Sequence, residues 1–277
     1  MTYRQILDEA VTILSNAGIV EAPNDAWVLF ENVFQMNRTR YFMSSQETAQ
    51  ESVVQEYMSL VKRREKREPL QYITGKAYFM GLEFNVNESV LIPRFDTEIL
   101  VEEALKHVDT NSEVLDVCTG SGCIAISIAV LGLVKNVQAV DISQAALSVA
   151  EINRQHNNAS NVSLIQSDMF GNVKGEFDMI VSNPPYIRTS DVDVLMPEVV
   201  KHEPRIALDG YEDGLHFYRI LAEESGHFLR NDGWLIMEIG YDQAEDVTKL
   251  LQNNNFTDIK VICDLAGLDR VICGRRK

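Results

Sequence analysis

The sequence predicts an α/β fold: a Rossmann-like, mostly parallel seven-stranded sheet with an antiparallel last strand, a small N-terminal helical domain and a β-hairpin linker. Three observations predict it. Before Pro69 the apolar residues recur at helical spacing. From Glu113 onward strand-type and helix-type patterns alternate, which signals a parallel sheet covered on both faces. The last two strand-type runs, Ile259–Ile262 and Arg270–Cys273, are joined by a loop too short for a crossover helix, so they form an antiparallel hairpin.

The elements follow in order. Residues 3–17 put Ile6, Leu7, Ala10, Val11 and Leu14 on one face and stop at Gly18. Asn24 is the expected cap of a second helix carrying Ala26, Trp27, Leu29, Phe30 and Val33. A third runs from about Thr48 to Arg67, with Val53, Val54, Tyr57, Leu60 and Val61 inside, until Pro69 ends it. Together they define a helical domain over residues 1–70. Its basic run, Lys62-Arg-Arg-Glu-Lys-Arg-Glu68, mixes signs and reads as a solvated face rather than an anion site.

Residues 71–90 change to a strand-like period, with a hairpin turning at Gly81 between Tyr78 and Val86. The third domain is 91–277. Pro93 breaks the chain, and Asp96 or Thr97 is placed to cap a helix reaching about His107. Arg94, in the loop between, fits a surface residue as well as a ligand clamp. Strands are expected at Val114–Val117, Val137–Val140, Val162–Ile165, Met179–Ser182 and Leu235–Ile239, ahead of the final hairpin.

Composition narrows the function classes. At 277 residues and 45% hydrophobic content the chain can bury a real core. Its net charge of −16 would repel a polyanion at long range, which argues against direct nucleic-acid binding. The four cysteines have no metal-ligand spacing, so neither zinc nor a disulfide scaffold is expected. No apolar run reaches membrane-span length and no signal-type segment opens the chain. A cytoplasmic protein and a monomer are expected.

Chemistry concentrates at the strand ends. Val114-Leu-Asp116-Val-Cys-Thr-Gly120-Ser-Gly122 is a strand followed by a glycine turn that opens a helix. Asp141 ends the next strand, about 20 residues on, where a carboxylate can accept both ribose hydroxyls of a nucleotide cofactor. The glycines alone would also suit a nicotinamide dinucleotide. Three details favour S-adenosylmethionine instead. Asp116 stands where it could meet the ammonium of a methionine tail. Asp168, after the third strand, can bond an adenine amino group. The fourth strand ends in Asn183-Pro-Pro-Tyr186. Each proline there holds the preceding residue extended and has no N–H to donate, so the segment presents acceptors beside an aromatic ring. That arrangement suits a planar –NH2 group on an sp2 carbon, as in a carboxamide or an adenine.

The chain resembles the release-factor glutamine N5-methyltransferases, the HemK-like protein methyltransferases, over nearly its whole length. The resemblance is carried by Glu68-Pro-Leu-Gln-Tyr-Ile-Thr-Gly75, Leu91-Ile-Pro-Arg-Phe-Asp-Thr-Glu98, Leu115-Asp-Val-Cys-Thr-Gly-Ser-Gly-Cys123, Asn183-Pro-Pro-Tyr186, Glu203-Pro-Arg-Ile-Ala-Leu208, Asp213-Gly-Leu215 and Glu238-Ile-Gly240. Asn-Pro-Pro-Tyr is shared with DNA and RNA amino-methyltransferases; the two segments ahead of the glycine turn are the more specific. Cys118 and Tyr211 stand where glycine is usual in the family, and Phe95 where proline is.

The resemblance implies a class I S-adenosylmethionine-dependent methyltransferase that modifies the Gly-Gly-Gln glutamine of bacterial peptide chain release factors, with S-adenosylhomocysteine as product. It implies a cofactor shell of Asp116, Asp141, Asp168, Met169 and Asn183 around the turn Cys118, Thr119, Gly120, Ser121 and Gly122. Substrate would meet Asn183, Pro184, Pro185 and Tyr186. Asn183, Pro184 and Tyr186 would carry the catalysis, and the helical domain would grip the protein substrate. A nucleic-acid amino-methyltransferase would use the same Asn183–Tyr186 geometry but lacks a basic, aromatic-interleaved groove here. A nicotinamide oxidoreductase would leave that segment unused.

Overall fold

The structure, a computed structural model, describes residues 1–277 and divides into two compact units. Each is built from a different part of the patterning above.

The first unit comprises Met1–Gly75 with Met196–His202. Helix α1 (Tyr3–Asn16) starts in a capping box between Thr2 and Gln5. Helix α2 (Ala22–Phe34) starts two residues before Asn24, because Pro23 fits a first helical turn, so Asn24 is not the cap. A short α3 (Arg38–Ser44), capped by Asn37, was not evident from the pattern, as none of its residues is buried. Helices α4 (Glu51–Glu65) and α5 (Leu70–Thr74) follow, with Pro69 opening the latter. Ile6, Leu14, Leu29, Phe30, Tyr57 and Val61 form the core.

The basic run departs from a simple solvated face. Arg64 is buried and pairs with Asp25 at 2.8 Å and with Glu198 at 3.2 Å. Arg67 pairs with the same Glu198 at 3.0 Å and donates to the carbonyls of Ala17 and Gly18. Two of its cations therefore close the unit from inside.

The second unit comprises Lys76–Leu195 and Glu203–Lys277. It opens with a hairpin, β1 (Lys76–Phe79) and β2 (Leu82–Asn85), whose turn residues Met80 and Gly81 both have positive φ, as a tight hairpin turn requires. Asn153 holds this hairpin by accepting from the Asn85 amide and donating to the Asn85 and Ser121 carbonyls. A 3₁₀ turn at Phe95–Thr97 leads into α6 (Glu98–Leu105). Thr97 does not cap that helix, because Glu238 takes its hydroxyl.

Strands and helices then alternate as the pattern requires: β3 (Glu113–Val117), α7 (Cys123–Leu131), β4 (Asn136–Asp141), α8 (Gln144–His156), β5 (Val162–Gln166) and β6 (Phe177–Ser182). After β6 come α9 (Thr189–Val192) and α10 (Pro197–His202), the latter packed with the first unit. The sheet resumes through α11 (His216–Phe228), β7 (Leu229–Glu238), α12 (Ala244–Asn253), β8 (Phe256–Cys263) and β9 (Asp269–Arg276).

The strand order is β5-β4-β3-β6-β7-β9-β8. Only β9 is reversed, pairing antiparallel with both β7 and β8. Val114, Met179, Val181 and Ile236 face one core beneath α6 and α7. Their neighbours Leu115, Ile180, Leu235 and Met237 face a second core beneath α11 and α12. Burial on both faces is why these strands read as continuous apolar runs rather than alternating ones. The order reverses between β3 and β4 on one side and β6 on the other, which places a crevice at the carboxyl ends of the central strands.

Candidate active site

A cavity of about 290 Å³ occupies that crevice and lies wholly within the second unit. Its floor is the turn between β3 and α7, where Gly120 and Gly122 have φ of 54° and 80°. A Cβ on Gly122 would also press on Ile126 and on Ala150 of α8, so that glycine serves close packing beneath the turn.

Asp141, at the end of β4, lines the cavity and grips the turn. Its two carboxylate oxygens accept the amides of Gly120 at 2.8 Å and Ser143 at 2.9 Å, leaving further lone pairs for a ligand. Burial raises its pKa above the usual carboxylate range, and the backbone bonds oppose that. Asp168 and Met169 line the cavity after β5, with Met169 held at φ 44°.

Asp116 is fully buried behind the turn rather than on the cavity wall. One oxygen accepts the Thr119 hydroxyl at 2.6 Å; the other has no partner. Burial pushes its carboxyl up to about 7. A buried carboxylate oxygen with an empty lone pair is costly unless a donor or water completes it.

Asn183 and Pro185 line the opposite side at the end of β6. The Asn183 side chain makes one hydrogen bond, from Nδ2 to the Thr97 hydroxyl at 3.3 Å, so its Oδ1 remains an open acceptor. The strand below is tied to its neighbour by the Ser182 hydroxyl, which donates to the Val117 carbonyl at 2.7 Å. Pro184 and Tyr186 do not line the cavity. The Tyr186 hydroxyl is spent on Glu238 at 3.0 Å, and its ring packs into the second core.

The backbone past Asn183 is clamped from three sides. Gln243 donates to the Tyr186 carbonyl at 3.0 Å, and Ile187 bridges to Asp209. A Cβ at Gly210 would stand 2.7 Å from the Tyr186 Cα, and one at Gly214 would stand 2.5 Å from the Tyr186 carbonyl oxygen. Backbone this close to backbone requires glycine.

Comparison with known proteins bears on what this crevice does. A family model described as the PrmC N-terminal domain matches residues 5–75, and one described as the methyltransferase small domain matches residues 94–207. A release factor glutamine methyltransferase of Fusobacterium nucleatum is 40% identical over 276 residues, covering 98% of this chain and 78% of its own. Another, of Geobacter sulfurreducens, is 40% identical over 275 residues, covering 99% and 96%. The chain belongs to the release factor glutamine methyltransferase family. Among solved structures, a methyltransferase from Pyrococcus furiosus superposes with a TM-score of 0.56 at 19% identity, over 72% of this chain and 90% of that one; this likeness concerns the fold, that of class I methyltransferases.

Set against other release factor glutamine methyltransferases, two departures acquire a physical meaning. Cys118 and Tyr211 have φ of 64° and 69°, the left-handed region in which glycine is at ease. Cys118 also lines the cavity, its Sγ 3.8 Å from the Met169 sulfur. Phe95 is exposed in the 3₁₀ turn.

Two carboxylates near the Asn-Pro-Pro-Tyr segment in sequence are committed elsewhere. Glu203 is buried and accepts Arg94 Nη2 at 2.7 and 2.8 Å; Glu198 is held by Arg64 and Arg67. Arg94 thus lines the cavity as one half of an ion pair. Thr97, Glu238 and Gln243 were missed as site residues. For Glu238 a signal existed: like Asp116 and Asp141, it is an acid at the carboxyl end of a sheet strand.

Proposed function

We propose that this chain methylates the side-chain amide nitrogen, N5, of the glutamine in the Gly-Gly-Gln motif of peptide chain release factors, using S-adenosylmethionine, and so supports translation termination. The observation that carries the proposal is the Asn183 amide, which gives Nδ2 to Thr97 and leaves Oδ1 as an acceptor on a cavity wall across from Asp141.

The residues fit the cofactor. Asp141 can accept a ribose diol and Asp168 an adenine amino group, while the unpartnered oxygen of Asp116, buried behind the turn, can be completed by a water bridging to an ammonium. Bound S-adenosylmethionine would supply an electrophilic methyl group on a sulfonium, the methyl–sulfur bond breaking to leave S-adenosylhomocysteine and the methylated nitrogen then losing one N–H proton.

The chain's own task is to make a poor nucleophile react. An amide nitrogen delocalises its lone pair into the carbonyl, so its rotation must be fixed for that pair to point at the methyl group. Asn183 Oδ1, on the cavity wall, accepts one N–H bond and holds that rotation. As the nitrogen becomes positive its N–H groups become stronger donors. The same acceptor then holds the transition state more tightly than the ground state. Tyr186 supports the segment through Glu238. The helical unit grips the release factor. Its α3 exposes Phe42 and Met43, 74% and 85% accessible, beside Arg38 and Arg40, a surface suited to a protein partner.

The test is single-turnover methylation of purified release factor with saturating cofactor. Asn183→Ala should slow transfer by roughly 10²–10³, the scale for losing one preorganised hydrogen-bonding group. Asn183→Asp, which still accepts an N–H, should retain more activity than alanine. Transfer at the native rate in Asn183→Ala, with cofactor and substrate bound, would overturn acceptor chemistry. In a cell lysate given labelled cofactor and the enzyme, label appearing in RNA or DNA rather than in release factor would overturn the substrate.

A further inference from the structure

A chain of largely buried polar groups runs from Asn183 through Thr97, which also lines the cavity, into the core. Asn183 Nδ2 meets the Thr97 hydroxyl at 3.3 Å, and that hydroxyl donates to Glu238 Oε2 at 2.5 Å. The second oxygen of Glu238 accepts the Tyr186 hydroxyl at 3.0 Å. Thr97 and Glu238 are each 2% exposed. A buried carboxylate is costly unless hydrogen bonds or a counter-charge compensate it, and here two hydroxyls donate to it.

The order follows from donor and acceptor counting. A threonine hydroxyl has one proton. Committed to Glu238, it leaves Thr97 only lone pairs to offer Asn183, so the amide must turn Nδ2 inward. The opposite rotamer would set Oδ1 against an oxygen with no proton to give.

We propose that Thr97 and Glu238 are positioning residues for methyl transfer: together they lock the Asn183 amide with Oδ1 toward the cavity, ready to accept an N–H from a planar carboxamide. The proposal presupposes Asn183 as the amide acceptor. It adds a second effect, because hydrogen bonds in a chain polarise one another. The charge on Glu238 strengthens Thr97 as an acceptor, which draws on Nδ2–H and makes Oδ1 more negative where positive charge develops.

The groups facing Glu238 are the hydroxyls of Thr97 and Tyr186, the Arg270 guanidinium, the Asp96 carboxylate and the Cys123 thiol; the Tyr218 hydroxyl donates to its backbone carbonyl. Burial raises the Glu238 carboxyl, opposed by the two hydroxyls and by Arg270. The ionised form is the one that locks Asn183, so transfer should fall as pH drops through that raised value.

The experiment compares Thr97→Val, Thr97→Ser and Glu238→Gln with Asn183→Ala, in single turnover on purified release factor at saturating cofactor. Calorimetry with S-adenosylmethionine and thermal unfolding accompany it. Thr97→Val and Glu238→Gln should slow transfer about tenfold, less than loss of a group in direct contact. Cofactor affinity should be unchanged, Thr97→Ser should restore the rate, and Glu238→Gln should lose the acid-side fall. Should Glu238→Gln fail to fold, the Val and Ser pair decides alone. Wild-type rates in Thr97→Val, or no rescue by serine, with Asn183→Ala inactive, would overturn the positioning role and leave Asn183 intact. An active Asn183→Ala would overturn the reading beneath it.

Discussion

Replacing Asp141 by asparagine is the most informative perturbation of the cofactor side. The change is nearly isosteric, so it alters chemistry rather than shape. The carboxylate accepts the Gly120 amide with one oxygen and the Ser143 amide with the other. Asparagine has a single carbonyl oxygen, so one of those amides must face an NH2 group. Losing one charge-assisted bond costs about 1.5–3 kcal/mol. Part of this is recovered in the fold, because the carboxyl is buried and its charge is held against desolvation. A net loss of about 1 kcal/mol in stability is expected. Nothing offsets the loss toward ligand: one ribose acceptor disappears, and affinity for S-adenosylmethionine should fall by about 1–3 kcal/mol, roughly 5- to 150-fold in Kd. Titration calorimetry at neutral pH reads this directly, with thermal unfolding as the check on folding. The pH dependence has a definite sign. Burial raises the Asp141 pKa, so the accepting, ionised form is lost as pH falls through that raised value. Affinity of the native chain should weaken on the acid side, and the asparagine variant should not follow it. An unchanged Kd in a folded Asp141→Asn protein would remove Asp141 from the site.

Gly210→Ala should displace the Asn183–Tyr186 segment, since the new Cβ would stand 2.7 Å from the Tyr186 Cα; release-factor methylation should collapse and stability drop by about 1–3 kcal/mol, while cofactor binding persists. Methylation at the native rate would show that the segment tolerates the shift. A chain beginning at Lys76 should bind S-adenosylmethionine yet methylate release factor poorly at low substrate concentration, and full turnover there would end the gripping role of the helical unit. Cys118→Gly should unfold at the same temperature as the native chain or higher. Relief of a left-handed residue, about 1–2 kcal/mol, outweighs the extra freedom of unfolded glycine, about 0.5–1 kcal/mol. A clear fall in Tm would mean that Cys118 packing outweighs its strain.

The parallel sheet was legible because two-sided burial leaves unbroken runs such as Met179–Ser182, and the reversed β9 because a short loop permits nothing else. Asp141 and Asn183 were legible for a related reason: strand ends in a doubly wound sheet are where ligands meet the chain. What escaped was whatever depended on a partner distant in sequence. Thr97 has the composition of a helix cap and lies three residues past Arg94; only its pairing with Glu238, 141 residues away, gives it another task. Arg64 sits in a run of mixed charge that patterns as surface, and only Asp25 and Glu198 reveal it as internal. Helix α3 escaped because it buries nothing and so carries no apolar stripe.

The seven residues Met196–His202 bear on modularity. They lie far along the chain, between α9 and the strand-forming segments, yet they pack with the first seventy-five residues, and their Glu198 balances Arg64 and Arg67. The helical unit is therefore not a contiguous cassette. Cut out as residues 1–75 and grafted onto another catalytic module, it would carry the buried Arg64 with Asp25 as its sole carboxylate and leave Arg67 without one. A recombinant exchange of recognition units between relatives would have to move two stretches of sequence, 131 residues apart where Arg67 meets Glu198, for the transplanted unit to keep its internal charge closed.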